Sequence, residues 1–214
     1  MIKTRTLIVF AILASLLSFA KFSHCEGSNW ATPDQYIHAC YSDLPALFGA
    51  RGLDNSAWPY ASNDNSVEYP VLTGLVMYAT SFVANSPVSY FNLNIFFLVL
   101  LFLVTVLIVK KIRPEFSYLV PVAPAMVASL FINWDLWAIA TMMLAIYWFD
   151  RKHYVNSSLA LALSISTKFL PVFLLIPIAF IFWRDAKVKE LIKYIGIVCA
   201  TWLAINLPLS LIHI

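Results

Sequence analysis

FNLNIFFLVLLFLVTVLIV, residues 91–109, carries no charged side chain, and Lys110, Lys111 and Arg113 follow it at once. A helix crossing a hydrocarbon core of about 30 Å needs about 20 apolar residues, each adding about 1.5 Å. This run nearly meets that length, and so does 195–212. Further apolar runs occupy 71–84, 116–132, 136–149, 157–169 and 172–183. Being shorter, they must be extended by flanking residues or surround a locally thinned site. The composition agrees. Of 214 residues, 61% are hydrophobic and 12% charged, and the mean hydropathy is +0.80. Soluble domains run at about 45–50% apolar and about 25% charged, and a core of this size could not hide the excess from water. A soluble enzyme and a disordered chain are thereby excluded, and the five glycines and three cysteines exclude collagen-like and cysteine-framed classes. The fold class is all-α: a polytopic transmembrane helix bundle with a large extracytoplasmic first loop and a juxtamembrane helix.

At the N-terminus, Lys3 and Arg5 precede an apolar run over 7–20. Two readings stand: a signal peptide cleaved after Ser18-Phe19-Ala20, or a retained signal-anchor helix over 5–22. Seven further apolar runs favour the retained span, and both readings place the next segment outside the cytoplasm. That segment, residues 23–69, is the one long polar stretch. It holds Glu26, Asp34, Asp43, Asp54, Asp64 and Glu68, the turn formers Asn55, Ser56, Asn63, Asp64 and Asn65, and the aromatics Trp30, Tyr36, Tyr41, Trp58 and Tyr60. A loop of such length inside a compact protein is commonly functional.

Basic residues in short loops set the orientation. Lys110, Lys111 and Arg113 form one cluster, Arg151 and Lys152 a second, and Arg184, Lys187, Lys189 and Lys193 a third. Placing all three with Lys3 and Arg5 in the cytoplasm puts 11 of the 14 basic residues inside and 7 of the 11 acidic residues outside. The first helix then exits and 91–109 re-enters, so 70–86 is a juxtamembrane or re-entrant helix on the outer side rather than a crossing. Residues 91–214 supply the remaining transmembrane helices. The expected location is the bacterial plasma membrane, multi-pass, with a cytoplasmic N-terminus. The outer face then gathers the acidic loop, the Asn133-Trp134-Asp135 turn and the Lys168–Pro171 turn.

Asp43, in Cys40-Tyr41-Ser42-Asp43-Leu44-Pro45, lies at the start of an apolar segment beside the membrane surface, where a general base could be held next to a lipid head group. Capping of a helix by Ser42 or Asp43 is the other explanation, and spacing alone favours it. Glu68 and Pro70, in Glu68-Tyr69-Pro70-Val71-Leu72-Thr73-Gly74, suit a helix N-terminus. Lys168 interrupts two apolar runs. A lysine at membrane depth costs about 2.5–3.5 kcal/mol, so it either contacts a lipid phosphate or snorkels from a helix end before Pro171. Arg51 is the second cation fitted to phosphate. Asp135 is either a site residue or a helix-start acid next to the capping Asn133. The histidines at 24, 38, 153 and 213 show no metal spacing. Cys25 and Cys40 share the outer segment, where a disulfide is permitted, while Cys199 falls within an apolar run. No Gly-rich phosphate loop, nucleophile elbow or nucleic-acid motif is present.

Cys40-Tyr41-Ser42-Asp43, Arg51-Gly52-Leu53, Pro59-Tyr60, the Glu68–Gly74 segment, Asn133-Trp134-Asp135-Leu136 and Thr167-Lys168-Phe169-Leu170-Pro171 occur in this order over most of the chain. Together they resemble the integral membrane glycosyltransferases of the GT-C class that use polyprenyl-phosphate sugars, in particular the actinobacterial mannosyltransferase-like membrane proteins. The resemblance implies an inverting transfer of a sugar, mannose in the nearest likeness, from a polyprenyl-phosphate carrier to an extracytoplasmic acceptor hydroxyl of a glycan or glycolipid. It implies Asp43 as base and Lys168 as lipid-phosphate contact, with Arg51, Glu68, Tyr69 and Asp135 around the substrate. The polyprenyl-phosphate sugar is the donor, no further cofactor is required by the motifs, and a divalent metal requirement stays open. Family members continue for several more helices, so residues 1–214 are expected to correspond to an N-terminal portion: a fragment, a decayed copy, or half of a split enzyme that a second chain would complete. Two other readings remain: a transporter or flippase component, and a non-catalytic membrane subunit.

Overall fold

The computed structural model describes residues 2–60 and 66–210. The turn formers Asn63, Asp64 and Asn65 and the end of the 195–212 run lie outside the described residues. Every regular element among them is helical: α1 (Thr4–Gly27), α2 (Asp34–Ile37), α3 (Asp43–Ala50), α4 (Val71–Ser81), α5 (Pro87–Ile112), α6 (Leu119–Val122), α7 (Pro124–Ser129), α8 (Asp135–Asp150), α9 (Tyr154–Thr167), α10 (Leu175–Arg184) and α11 (Val188–Ser210). Short 3-10 turns cover Leu53–Asn55 and Leu170–Leu174. Among the described residues, three helices are long and apolar enough to cross a membrane: Thr4–Gly27, Pro87–Ile112 and Val188–Pro208.

Two compact units divide the chain, one of residues 1–68 and 74–136, the other of residues 69–73 and 137–214. In the first, α1 and α5 are antiparallel neighbours. At one end the Lys110 ammonium donates to Thr4 Oγ1 at 2.7 Å; at the other, the Asn92 amide donates to Glu26 Oε1 at 2.6 Å. The basic residues before α1 and those closing α5 therefore share an end, as expected from charge alone. Along α1, Leu7, Ala11, Ala14, Ser18, Phe22 and Cys25 are buried. Steps of three or four residues make the seam of a packed helix pair. The helix extends beyond the expected 5–22 to Gly27, and its last turn carries His24 and Cys25.

α4 has 11 residues, spanning about 16 Å, half of a hydrocarbon core. Its far end is tied to the first turns of α5: Tyr90 Oη donates to the Met77 carbonyl at 3.0 Å and Asn94 Nδ2 to Thr80 Oγ1 at 3.3 Å. α5 itself starts on a capping box, with Ser86 and Ser89 exchanging side-chain bonds and Pro87 at the first helical position.

The apolar run 116–132 departs from the expectation of a helix. It breaks into α6 and α7, because proline cannot donate a helical hydrogen bond and forces its predecessor out of the helical region. Ala123, ahead of Pro124, is extended at ψ 124°.

In the second unit, α8 and α9 form an antiparallel hairpin. Ser157 Oγ donates to the Ala145 carbonyl at 2.8 Å and Ser164 Oγ to the Ala138 carbonyl at 2.7 Å. α9 and α11 run parallel, joined by Ser157 with Tyr194 at 2.9 Å and by Asn206 to Ser166 at 3.1 Å. The starts of α9 and α11 thus lie together, and with them Arg151 and Lys152 and the basic cluster around 184–193. Lys168 stands at the opposite end of α9. Ser157, Ser158, Ala160, Ala162, Ser164 and Ser166 are buried; small side chains let helix backbones approach closely, and hydroxyls supply bonds between them. Phe182, Tyr194 and Phe149 close this core with tilted and edge-on ring contacts.

Candidate functional site

The loop that opens the first unit is an organised cap. Cys25, in the last turn of α1, is bonded to Cys40. Trp30 packs edge-on to Phe91 with ring centres 4.8 Å apart, and Phe22 contacts both Phe91 and Phe131. These rings carry the chain directly to Tyr41-Ser42-Asp43.

Ser42, not Asp43, caps α3: its side chain accepts the Leu44 amide at 3.2 Å. Its hydroxyl in turn donates to the Phe131 carbonyl at 2.7 Å, and the Asp43 amide donates to the Ile132 carbonyl at 2.7 Å. Two sequence motifs separated by about ninety positions are thereby fastened backbone to backbone, since residues 131–132 lead straight into Asn133-Trp134-Asp135. The Asp43 side chain, half-buried in the first turn of α3, bonds the Tyr41 hydroxyl. Burial, and then the neighbouring Asp43, push the Tyr41 phenol up to about 12. An acid at a helix start also gains from the helix dipole.

Asp135 is the first residue of α8, and its amide donates to Asn133 Oδ1 at 3.0 Å. The Asn133 side chain thus accepts the first amide of α8, as the Ser42 side chain accepts an amide in the first turn of α3. Trp134, 1% exposed, is fixed by its indole N–H donating to Asn94 Oδ1 at 2.7 Å. Asn94 reaches back to Thr80 and the Tyr90 carbonyl. Asn94 was not among the expected functional positions, although an asparagine inside an apolar span is itself a signal.

Arg51 and Glu68, both expected around the substrate, face one another: Arg51 Nη2 lies 3.1 Å from Glu68 Oε1, with the Glu68 side chain 85% exposed. Arg51 is held in place by the left-handed Gly52 (φ 68°) that ends α3. Pro59-Tyr60 meets the start of α4. Tyr60 Oη accepts the Gly74 amide, and burial pushes its phenol up to about 12 against that hydrogen bond. A Cβ on Gly74 would collide with the Tyr60 ring, so this contact requires glycine.

In the second unit, Thr73 Oγ1 donates to the Thr167 carbonyl at 2.7 Å, joining the Glu68–Gly74 motif to Thr167-Lys168-Phe169. Lys168 ends α9 with its amide on the Ser164 carbonyl at 2.9 Å and its side chain half-buried. Tyr69 is half-buried in the same unit. In the same unit opens an apolar cleft of about 310 Å³, walled by Ile165, Phe169, Val172, Val198, Trp202 and Leu203 among others.

The segment from His24 to His38 also collects residues whose spacing carried no metal pattern. His24, Asp34 and His38 place one donor atom each within 4.8 Å of one another. Asp34 accepts from Ser28 at 2.8 Å, and its carboxyl is held below the usual range first by that bond and then by His24. Family models, curated proteins and solved structures contain no match to this chain.

Proposed function

We propose that this chain belongs to a membrane glycosyltransferase that moves a sugar, mannose by the resemblance, from a polyprenyl phosphate to an acceptor hydroxyl outside the membrane. What supports the reading is that Lys168 directly precedes Phe169, one of the residues that wall the apolar cleft. A cation next in sequence to an apolar cleft suits a ligand with a phosphate at one end and an isoprenoid chain at the other. The expected orientation places the Cys25–Cys40 disulfide in an oxidising compartment, and with it Asp43 and Lys168 on the outer face. The N-terminus and all three basic clusters then face the cytoplasm of a bacterial plasma membrane.

In this mechanism the acceptor oxygen attacks the anomeric carbon while the bond from that carbon to the phosphate oxygen breaks. Asp43 takes the hydroxyl proton as the new glycosidic bond forms. The polyprenyl phosphate leaves with one more negative charge than it had in the diester, and Lys168 stabilises that charge as it develops. Arg51, Glu68, Tyr69 and Asp135 orient sugar and acceptor. A positioned general base contributes about 10²–10⁴-fold, so Asp43→Asn lowers the transfer rate from labelled polyprenyl-phosphate mannose in isolated membranes by that factor. Lys168→Ala raises the donor concentration needed for half-maximal transfer. Equal transfer by wild type and Asp43→Asn removes the base assignment. Binding of the labelled lipid without transfer by any form points instead to a transporter component or a non-catalytic subunit.

A further inference from the structure

We propose that His24, Asp34 and His38 bind one divalent transition-metal ion, zinc by donor set, in the cap of the first unit. His24 Nε2 and His38 Nε2 each lie 3.3 Å from the same carboxylate oxygen, Asp34 Oδ1. Zinc with bonds of about 2.0–2.1 Å to nitrogen and oxygen sets its tetrahedral donors about 3.3–3.4 Å apart. Both edges to the carboxylate therefore already have the length the ion requires. The other oxygen, Asp34 Oδ2, accepts the Ser28 hydroxyl at 2.8 Å, the outer-shell bond that orients a ligating carboxylate.

The scaffold is independent of the ion. His24 sits in the last turn of α1 and Asp34 in the first turn of α2, with His38 at its end. The Cys25–Cys40 disulfide closes the loop that holds Asp34 and His38, and His24 directly precedes Cys25. The two imidazole rings lie 4.1 Å apart between centres, so a small inward movement of both nitrogens encloses an ion. Their side chains are 53% and 50% exposed, which leaves an entry path and a fourth position for water. Two imidazoles with one carboxylate favour zinc, copper or nickel; calcium and magnesium prefer oxygen-only shells. The site uses none of the residues assigned to sugar transfer, so its failure leaves that reading intact.

The test uses the full chain in detergent, without a histidine tag and stripped with a chelator. Zinc is titrated against a chromophoric chelator, and cobalt is added in its place to read the visible bands of a tetrahedral site. One ion binds per chain. Because losing an outer-shell partner costs about 10–100-fold in affinity, Ser28→Ala weakens zinc by about 10-fold and His24→Ala or His38→Ala by about 100-fold or more. His153→Ala leaves binding unchanged. As a measurement that needs no variant, zinc shields His24 and His38, but not the exposed His153, from diethyl pyrocarbonate as read by mass spectrometry. Absence of stoichiometric binding, or equal labelling of His24 and His38 with and without zinc, overturns the proposal.

Discussion

Replacing Asn94 by leucine strikes the buried polar chain that positions the Asn133-Trp134-Asp135 turn. In the structure the Asn94 side chain accepts the Trp134 indole N–H at 2.7 Å and donates to Thr80 Oγ1 and the Tyr90 carbonyl. Leucine keeps the branched shape of the side chain and removes all three bonds. The orphaned indole, 1% exposed, finds no water in its place. Leaving a buried donor unsatisfied costs about 1–3 kcal/mol, whereas hydrogen bonds between helices in membranes average about 0.6 and reach about 1.7 kcal/mol. The shorter of the Asn94 bonds, with both partners buried, belongs near the upper end of the membrane range, so Asn94→Leu destabilises by about 1–2 kcal/mol. Trp134→Phe adds a packing loss of its own because the ring shrinks, and comparing single substitutions would confuse the two effects. A double-mutant cycle removes that confusion. Equilibrium unfolding of wild type, Asn94→Leu, Trp134→Phe and the double variant in mixed micelles gives a coupling of about 1 kcal/mol, within the about 0.5–3 kcal/mol found for residues in contact. Additivity to within about 0.3 kcal/mol would show that the two side chains do not share a bond, and the account of how the turn is held would be wrong.

Two further outcomes follow from the same geometry. Gly74→Ala forces the Tyr60 ring from its seat at the start of α4 and costs about 1–3 kcal/mol as overpacking; Tyr60→Ala in the same chain recovers most of that loss, and thermal unfolding of both variants checks it. Tyr41, with its phenol raised to about 12, stays protonated well above the ordinary tyrosine range. Its folded value lies above its unfolded one, so its contribution to stability is full below about pH 10 and is lost as pH rises towards 12. Subtracting the ultraviolet tyrosinate titration of Tyr41→Phe from that of wild type isolates this group, and a transition near pH 10 in the difference refutes the burial argument.

Hydrophobic run length and charge position are properties of consecutive residues, and they settled the outline. The run at 91–109 became α5, the basic residues marked which helix ends lie together within each unit, and the brevity of 71–84 anticipated an 11-residue α4. The break at 116–132 was also written locally, in Pro121 and Pro124, although hydropathy alone reads across it. The cap of α3 was legible as a pair of alternatives, since Ser42 and Asp43 are neighbours and either can cap a helix. Which of the two takes the cap needs backbone dihedrals.

The pairings that build the candidate sites were out of reach of any local pattern. Asn94 meets Trp134 across 40 positions, Ser42 meets Phe131 across 89 and Thr73 meets Thr167 across 94. Arg51 and Glu68 are 17 apart, and either side chain could have served other partners. His24 and His38 carry no metal spacing because they sit on different helices. Only the disulfide and the packing of Trp30 and Phe22 on Phe91 fold that segment so that both nitrogens approach one carboxylate. The sequence by itself determined a helical chain with membrane-length segments and one polar cap, because burial in lipid acts on each segment's own composition. The tertiary structure decided which polar groups face one another, because a hydrogen bond or a ligand set requires atoms within about 3 Å, a distance that only packing of remote segments establishes.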